Sequence, residues 1–501
     1  MKGFKLQKLK SWTKMDYVKT IAVFLTNIAV IVGLFVGAIF LNSLGENNVA
    51  TMDFVAYFTQ SDTRSRFLYL VLTLVLLSAV LYIYLFFEER DFLKSPGNCE
   101  MIFLILEVTI LFSYFAGRYI NIYLRPLALG ALLSLLLINR RTAIFFNTLS
   151  CIVIFLMDVF TNFDIEGYMQ YSALIIGFTS GIVAIYLIDG VRSRLKVLLK
   201  GILIAVPILV VLVLLEQTNL MVRWDYLVSG ASAGILSVVL FMAVLPIFES
   251  LFKKITIYKL AELTDHSSVL IRRMIETAPG TFNHSIVVAN IAEACATAIG
   301  ENPLLARACA YYHDMGKLRQ PEFFKENQVD DVNPHDELTP ELSNNIIRAH
   351  AKDGHDLLLK YHLPKMLADI CQEHHGTMPI LYFYAKAKKY VDGDLDIEKF
   401  SYPGPKPQSK IAAILMIADS SEAAVRTLTD RSRENVNAVV AKIVEDRLNY
   451  GQFDECEITM KELHIIRNAI VNNLSGIYHK RIEYPKVNLD ALKNDPAGAD
   501  A

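Results

Sequence analysis

Apolar stretches long enough to cross a bilayer crowd the first half of this 501-residue chain and stop near residue 247. A spanning helix needs about 20 predominantly apolar residues. Such runs fit at 20–41, 67–87, 101–117, 119–138, 142–161, 169–188, 197–215 and 226–247, with Arg125 and Pro126 interrupting the fourth. Charge is sparse along these runs and dense after them, and all 11 histidines lie at or after His266. A single soluble domain has no cause to lose its charge over half its length. The pattern equally excludes disorder, a basic domain that binds DNA or RNA polymers, and a small disulfide scaffold. The chain reads as all-α: a polytopic transmembrane bundle of about eight spans in the lipid bilayer, then a water-soluble half.

Lys/Arg placement sets the orientation. Lys2, Lys5, Lys8, Lys10, Lys14 and Lys19 face one acid, Asp16, at the N-terminus. Arg140-Arg141, the group Arg192, Arg194, Lys196 and Lys200, and the group Lys253, Lys254 and Lys259 are basic too. The alternate loops 42–66, 162–168 and 216–225 are neutral or acidic. Eight spans with both termini inside satisfy these biases, apart from the mixed loop 88–100; seven spans would put the two basic ends on opposite sides. The first run is too long for a signal-peptide core and no small-x-small site follows it, so it reads as an uncleaved signal anchor. Glu107 lies mid-span, either in a pocket between helices or paired for packing alone. Asp158, near a span end, reads as an interfacial residue reaching water.

Beyond Ile255 the periodicity becomes that of amphipathic helices, at 282–298, 302–315, 339–361, 364–375, 380–390, 408–427, 433–449 and 457–475. Gly300 and Gly316 punctuate the first two, and Thr339-Pro340-Glu341 reads as an N-cap followed by proline. Val391–Ser409, rich in glycine and proline, is a long loop of the kind that is functional or mobile. The six cysteines form no Cys-x-x-Cys pair, and those of the soluble half read as buried apolar residues in a reducing compartment.

Five segments concentrate imidazoles and carboxylates: Asn283-His284-Ser285, His313-Asp314-Met315-Gly316-Lys317, His350, His374-His375-Gly376-Thr377 and Ala418-Asp419-Ser420. Each is flanked by apolar residues, such as Ile291, Ala308, Ile347, Ile370 and Leu415, that should bury it. Buried polar groups must find partners. Seven His/Asp side chains could satisfy one another by hydrogen bonds or by binding cations. A set without sulfur suits Mn, Fe, Zn or similar ions.

The order His … His-Asp … His … His-His … Asp resembles that of the HD-domain metal-dependent phosphohydrolases. The text around it, Ala278-Pro279-Gly280-Thr281-Phe282-Asn283-His284-Ser285, Tyr312-His313-Asp314-Met315-Gly316-Lys317 and His374-His375-Gly376-Thr377, is similar to the membrane-bound seven-transmembrane-receptor type, whose characterised members are bacterial cyclic di-AMP phosphodiesterases. The likeness covers Ala261 to Tyr484 and, more loosely, the hydrophobic layout before it. It implies two divalent ions, Mn or Fe. His284, His313, Asp314 and Asp419 would hold one, and His350, His374 and His375 the other, with Asp314 bridging. Asp314 and Lys317 would be the catalytic residues, Lys317 supporting the site or meeting a phosphate. The implied reaction opens cyclic di-AMP to 5′-pApA, in the bacterial plasma membrane with the N-terminus and HD domain cytoplasmic.

The implied organisation is a basic N-terminus at 1–19, the signal-anchor helix at 20–41, a short extracytoplasmic loop at 42–66 and a seven-helix bundle at 67–247. A linker at 248–260, the HD domain at 261–484 and a polar tail at 485–501 follow. Two departures from the family stand out. The family's large extracytoplasmic domain is replaced by Asn42–Arg66. Gly376-Thr377-Met378-Pro379 follows His375 where the cyclic di-GMP branch carries Glu and a Gly-Tyr-Pro motif, which argues against that substrate. Another nucleotide substrate, such as a guanosine alarmone, and a non-catalytic nucleotide receptor are the competing readings. His266, His335, His355, His362, His464 and His479 match no motif position and read as surface or helix-terminal. Arg426, seven residues after Asp419, could reach a phosphate or pair with Glu422.

Overall fold

The computed structural model describes residues 14–44, 54–55, 58–161, 171–215, 223–328, 333–390 and 394–477. The lysines before Lys14, part of the loop after the first apolar run, the loop after the fifth, most of the loop after the seventh, His479 and the polar tail lie outside them. The chain divides into two compact units, Met1–Lys259 and Leu260–Ala501.

The first unit is a helix bundle: α1 (Lys14–Ser43), α2 (Ser61–Glu88), α3 (Pro96–Tyr119), α4 (Leu129–Leu137), α5 (Arg140–Thr161), α6 (Ser172–Ile188), α7 (Arg194–Leu215) and α8 (Trp224–Phe252). Six of these are long and apolar enough to cross a membrane, and α6 is a shorter apolar helix. Their outer faces are apolar as well: α2 exposes Leu68, Leu72, Leu76 and Ile83, and α7 exposes Leu199, Ile202, Val206, Val210 and Val213. Apolar surface of that extent is stable against lipid and not against water. The protein is a multi-pass membrane protein.

The fourth apolar run is not one continuous helix. After α3 the chain makes a three-residue 3-10 turn at Ile122–Leu124 and passes Arg125-Pro126 before entering the nine-residue α4. Proline lacks an amide hydrogen, and the guanidinium needs an anion at membrane depth. Arg125 finds it in Asp158 of α5, through Nη1–Oδ2 at 2.5 Å and Nη2–Oδ1 at 2.8 Å. Both side chains are buried, so Asp158 is an intramembrane ion-pair partner and not the water-reaching residue expected. The break is tolerated because α4 is buried among α3, α5, α6 and α8 and never faces lipid.

The second unit is also all-helical; among its described residues the only β pairing is an isolated bridge, Pro379 to Ser401. After α9 (Ile257–Leu263) and α10 (Val269–Thr277) come α11 (Pro279–Ile299), α12 (Pro303–Tyr312), α13 (Pro340–Lys360), α14 (Lys365–Glu373), α15 (Leu381–Lys388), α16 (Lys410–Arg426), α17 (Arg433–Asn449) and α18 (Met460–Ile477). Caps mark the ends. Asn302, Thr339 and Ser409 accept hydrogen bonds from first-turn amides of α12, α13 and α16, and Gly300 closes α11 in the left-handed region. The central helix is α11, which packs on α12, α16 and α18. The cysteines of this unit are unpaired, three buried and Cys456 partly exposed.

Candidate metal centre

Five elements deliver the candidate ligands to one buried place. His284 comes from the first turns of α11. His313 and Asp314 come from the end of α12, before the 3-10 turn Met315–Arg319. His350 comes from the middle of α13, His374 and His375 from the end of α14, and Asp419 from α16. Gly316 permits this convergence. A Cβ there would stand 1.9 Å from the His350 carbonyl oxygen and 2.6 Å from the Gly354 amide nitrogen. Backbone thus packs on backbone, and the His-Asp pair is held beside His350.

The ligand atoms fall into two groups around one carboxylate. His350, His374 and His375 form one, and His284, His313 and Asp419 the other; within each, the candidate atoms lie within 4.8 Å of one another. Asp314 stands between them. Its Oδ2 is 3.3 Å from His313 Nε2 and 3.7 Å from His284 Nε2; its Oδ1 is 3.4 Å from His350 Nε2 and 3.8 Å from His374 Nε2. Asp419 Oδ1 is 3.0 Å from His284 Nε2, and its Oδ2 is 3.9 Å from His375 Nδ1.

The histidines are oriented from behind. Nδ1 of His313, His350 and His374 donates to the carbonyl oxygen of Ala310 (2.7 Å), Ile347 (2.6 Å) and Ile370 (3.2 Å), each on the same helix. Nδ1 of His284 donates to Glu422 Oε2 at 2.6 Å. Occupying Nδ1 this way leaves the Nε2 lone pair free to point inward, as metal-ligating imidazoles require. His313 Nε2 and Asp314 Oδ1 are buried without a hydrogen-bond partner. Buried polar atoms are almost always satisfied. An oxygen- and imidazole-rich set with orphaned lone pairs fits divalent cations; the centre is built for a metal.

Electrostatics separate the two groups. Burial opposes charge on His313, but Asp314 and Asp419 outweigh it and lift its pKa to about 10. His284 is also raised, Asp419 and Glu422 overcoming its burial. Burial and the neighbouring His313 lower His374 to about 3, burial with adjacent imidazoles lowers His375, and burial with the Lys317 charge lowers His350. Despite its burial, Asp314 is held well below the usual carboxylate range by His313 and Lys317.

Lys317 Nζ lies 2.7 Å from Asp314 Oδ2 and 2.7 Å from Glu326 Oε1, so it is part of the same cluster. Glu326 was not legible as a site residue, nor was Glu422, although its spacing of three from Asp419 puts both on one face of α16. Arg426 takes the pairing role, 3.8 Å from Glu422 Oε2 and largely exposed. The loop before α16 folds back through the Ile380 amide to Phe400 and the Tyr402 amide to Met378. This stacks the Tyr402 ring on His375 at 4.3 Å. His335, expected at the surface or a helix end, lies in a short 3-10 turn and is buried between Phe323 and Phe383. His355 pairs with Asp356, while His266, His362 and His464 are exposed.

Residues 65–256 match the family described as a 7TM receptor with intracellular HD hydrolase, and residues 281–424 match the HD domain. The chain is 40% identical over 418 residues to the cyclic-di-AMP phosphodiesterase PgpH of Bacillus subtilis (strain 168). It is 35% identical over 424 residues to that of Listeria monocytogenes serotype 1/2a (strain 10403S). These alignments take in 81% and 82% of this chain but 58% of each relative, so the chain spans somewhat over half the length of the curated relatives it matches. The crystal structure of the L. monocytogenes PgpH HD domain in complex with cyclic-di-AMP is 47% identical, covering 43% of this chain and 100% of that one, with a TM-score of 0.41.

Proposed function

We propose that this chain, which belongs to the family of seven-transmembrane receptors with an intracellular HD hydrolase domain, is a membrane-anchored phosphodiesterase that opens cyclic di-AMP to 5′-pApA. The observation that carries the reading is the pair of histidine–carboxylate groups sharing Asp314, in a chain similar to proteins named cyclic-di-AMP phosphodiesterases. His284, His313, Asp314 and Asp419 would hold one divalent ion, Mn or Fe, and His350, His374 and His375 would hold the second, with Asp314 shared. When bound, such ions supply Lewis-acid charge to the phosphate oxygens and activate water for in-line attack.

The chain's own residues do the rest. Asp314 and Asp419 carry the negative charge that retains cations, and the backbone carbonyls and Glu422 fix the imidazoles. Lys317 keeps a positive charge beside Asp314, where a phosphate oxygen arrives. Tyr402 walls the His375 side against solvent. The N-terminus and the hydrolase domain (261–484) lie on the cytoplasmic face of a bacterial plasma membrane, a placement that the Lys/Arg distribution supports. The bundle at 67–247 anchors it.

The test is a substrate panel on the full chain in detergent with Mn²⁺ or Fe²⁺: cyclic di-AMP, cyclic di-GMP, a guanosine alarmone and a mononucleotide. Cyclic di-AMP should turn over fastest and yield a linear dinucleotide. Asp314→Asn should lower that rate on the order of 10³-fold, as loss of a metal-held charge clamp does. No turnover of cyclic di-AMP with either ion, or faster turnover of the alarmone, overturns the reading.

A further inference from the structure

A cyclic dinucleotide carries two phosphodiesters, and only one can sit at the two-ion centre at a time. The other is a second anion, which a nearby cation would attract. Lys317 is already engaged by Asp314 and Glu326. Arg447, near the end of α17, is differently placed. Its Nη2 donates to Ser420 Oγ at 2.8 Å, which ties it to the residue after Asp419. Its Nε is buried with no hydrogen-bond partner. Among the described residues no carboxylate lies within ion-pair distance of it. A half-buried cation in that condition is costly until an anion arrives.

Its surroundings belong to the same centre. The charge of Arg447 acts on Asp419 and on the Tyr402 hydroxyl, and that hydroxyl also feels Lys317, Asp419 and Asp314. Gln452, just beyond α17, clasps the segment after the paired histidines: the Thr377 amide donates to Gln452 Oε1 and Gln452 Nε2 donates to Thr377 Oγ1, both at 2.9 Å. The end of α17, Thr377 and Tyr402 therefore wall one side of the metal centre, with the guanidinium set into that wall.

We propose that Arg447 binds the phosphate that is not cleaved, and that this contact makes the site prefer a cyclic dinucleotide to a diester with a single phosphate. The planar fork of arginine matches two phosphate oxygens at once, which a lysine cannot do. The proposal rests on the cyclic di-AMP reading above.

The experiment compares the wild-type full chain with Arg447→Met and Arg447→Lys, loaded with Mn²⁺, on cyclic di-AMP and on bis(p-nitrophenyl) phosphate. Arg447→Met should raise KM for cyclic di-AMP by about 10- to 100-fold, the range for a lost charge-assisted contact, with kcat changed far less. Its loss in kcat/KM on the single-phosphate diester should be smaller by at least about tenfold. Arg447→Lys should fall between wild type and Arg447→Met. Equal losses on the two substrates would show that Arg447 acts only through Ser420 and the ligand shell; that result, or an unchanged KM, overturns the inference alone. A wild type inert on cyclic di-AMP overturns it together with the function it rests on.

Discussion

At the scale of single residues, the two histidine groups differ in the protons they hold before any ion binds. His313, raised to about 10, holds a proton at pH 7 on the nitrogen a cation would use, and His284 is shifted in the same direction. His350, His374 and His375 have lowered values and stand neutral. Metal binding must expel protons from its ligands. Ion uptake by the Asp419 group should therefore release about one proton or more at pH 7 and tighten as pH rises, while uptake by the other group releases almost none. Calorimetry in buffers of different ionisation enthalpy counts them. Equal release in both binding steps would contradict the assignment. Glu422→Gln keeps the size of the side chain that orients His284 but removes its charge, and should weaken binding in the same group by about 10- to 100-fold. Metal titration of wild type and variant checks this. All seven candidate ligands were readable from side-chain chemistry and order. Glu326, Tyr402 and Arg447 were not, because each reaches the centre through tertiary packing from a segment without a motif.

At the scale of elements, the 3.6-residue periodicity located eight helices of the soluble half to within a few residues, since each buries one apolar stripe against α11 or its neighbours. The short helices α9 and α10 and the 3-10 turns went unread; a 3-10 turn of three to five residues completes too few turns to show a period. The 391–409 loop was recognised by composition, but its return onto His375 depends on two backbone hydrogen bonds that no side-chain pattern encodes. Gly316 is the element-level constraint most open to experiment. Alanine there collides with backbone of α13 on two sides, and backbone yields less readily than a side-chain tip. Gly316→Ala should destabilise the soluble unit by at least about 1–3 kcal/mol, the usual overpacking penalty. It should also weaken binding at both ion groups, because His350 and the His-Asp pair are pushed apart. Thermal melts and metal titration test the two effects, and a variant as stable as wild type would refute the first.

For the whole molecule, composition alone separated a lipid-facing half from a histidine-bearing half, and the contact division at Lys259 falls just after the last apolar run. Composition could not pair Arg125 with Asp158, because they are brought together only when α4 enters the bundle. That pair makes the membrane unit sensitive to one charge. Asp158→Asn leaves the buried guanidinium without its anion and should cost about 3–5 kcal/mol. The double change Arg125→Met with Asp158→Leu should recover most of it. Thermal unfolding of the full chain in detergent measures both, and a double variant as unstable as the single one would mean that the polar pairing itself is required.

The backbone anchoring of the histidines bears on how freely this protein can change over evolutionary time. Three ligand rings are steered by carbonyl groups of residues 310, 347 and 370, and a carbonyl survives any substitution that keeps the helix. The side chains there can drift within the limits of packing while the imidazoles hold their aim. Of the four rings anchored through Nδ1, His284 alone depends on a side chain for its bearing, so descendants of this sequence can wander at those three positions far more easily than at Glu422.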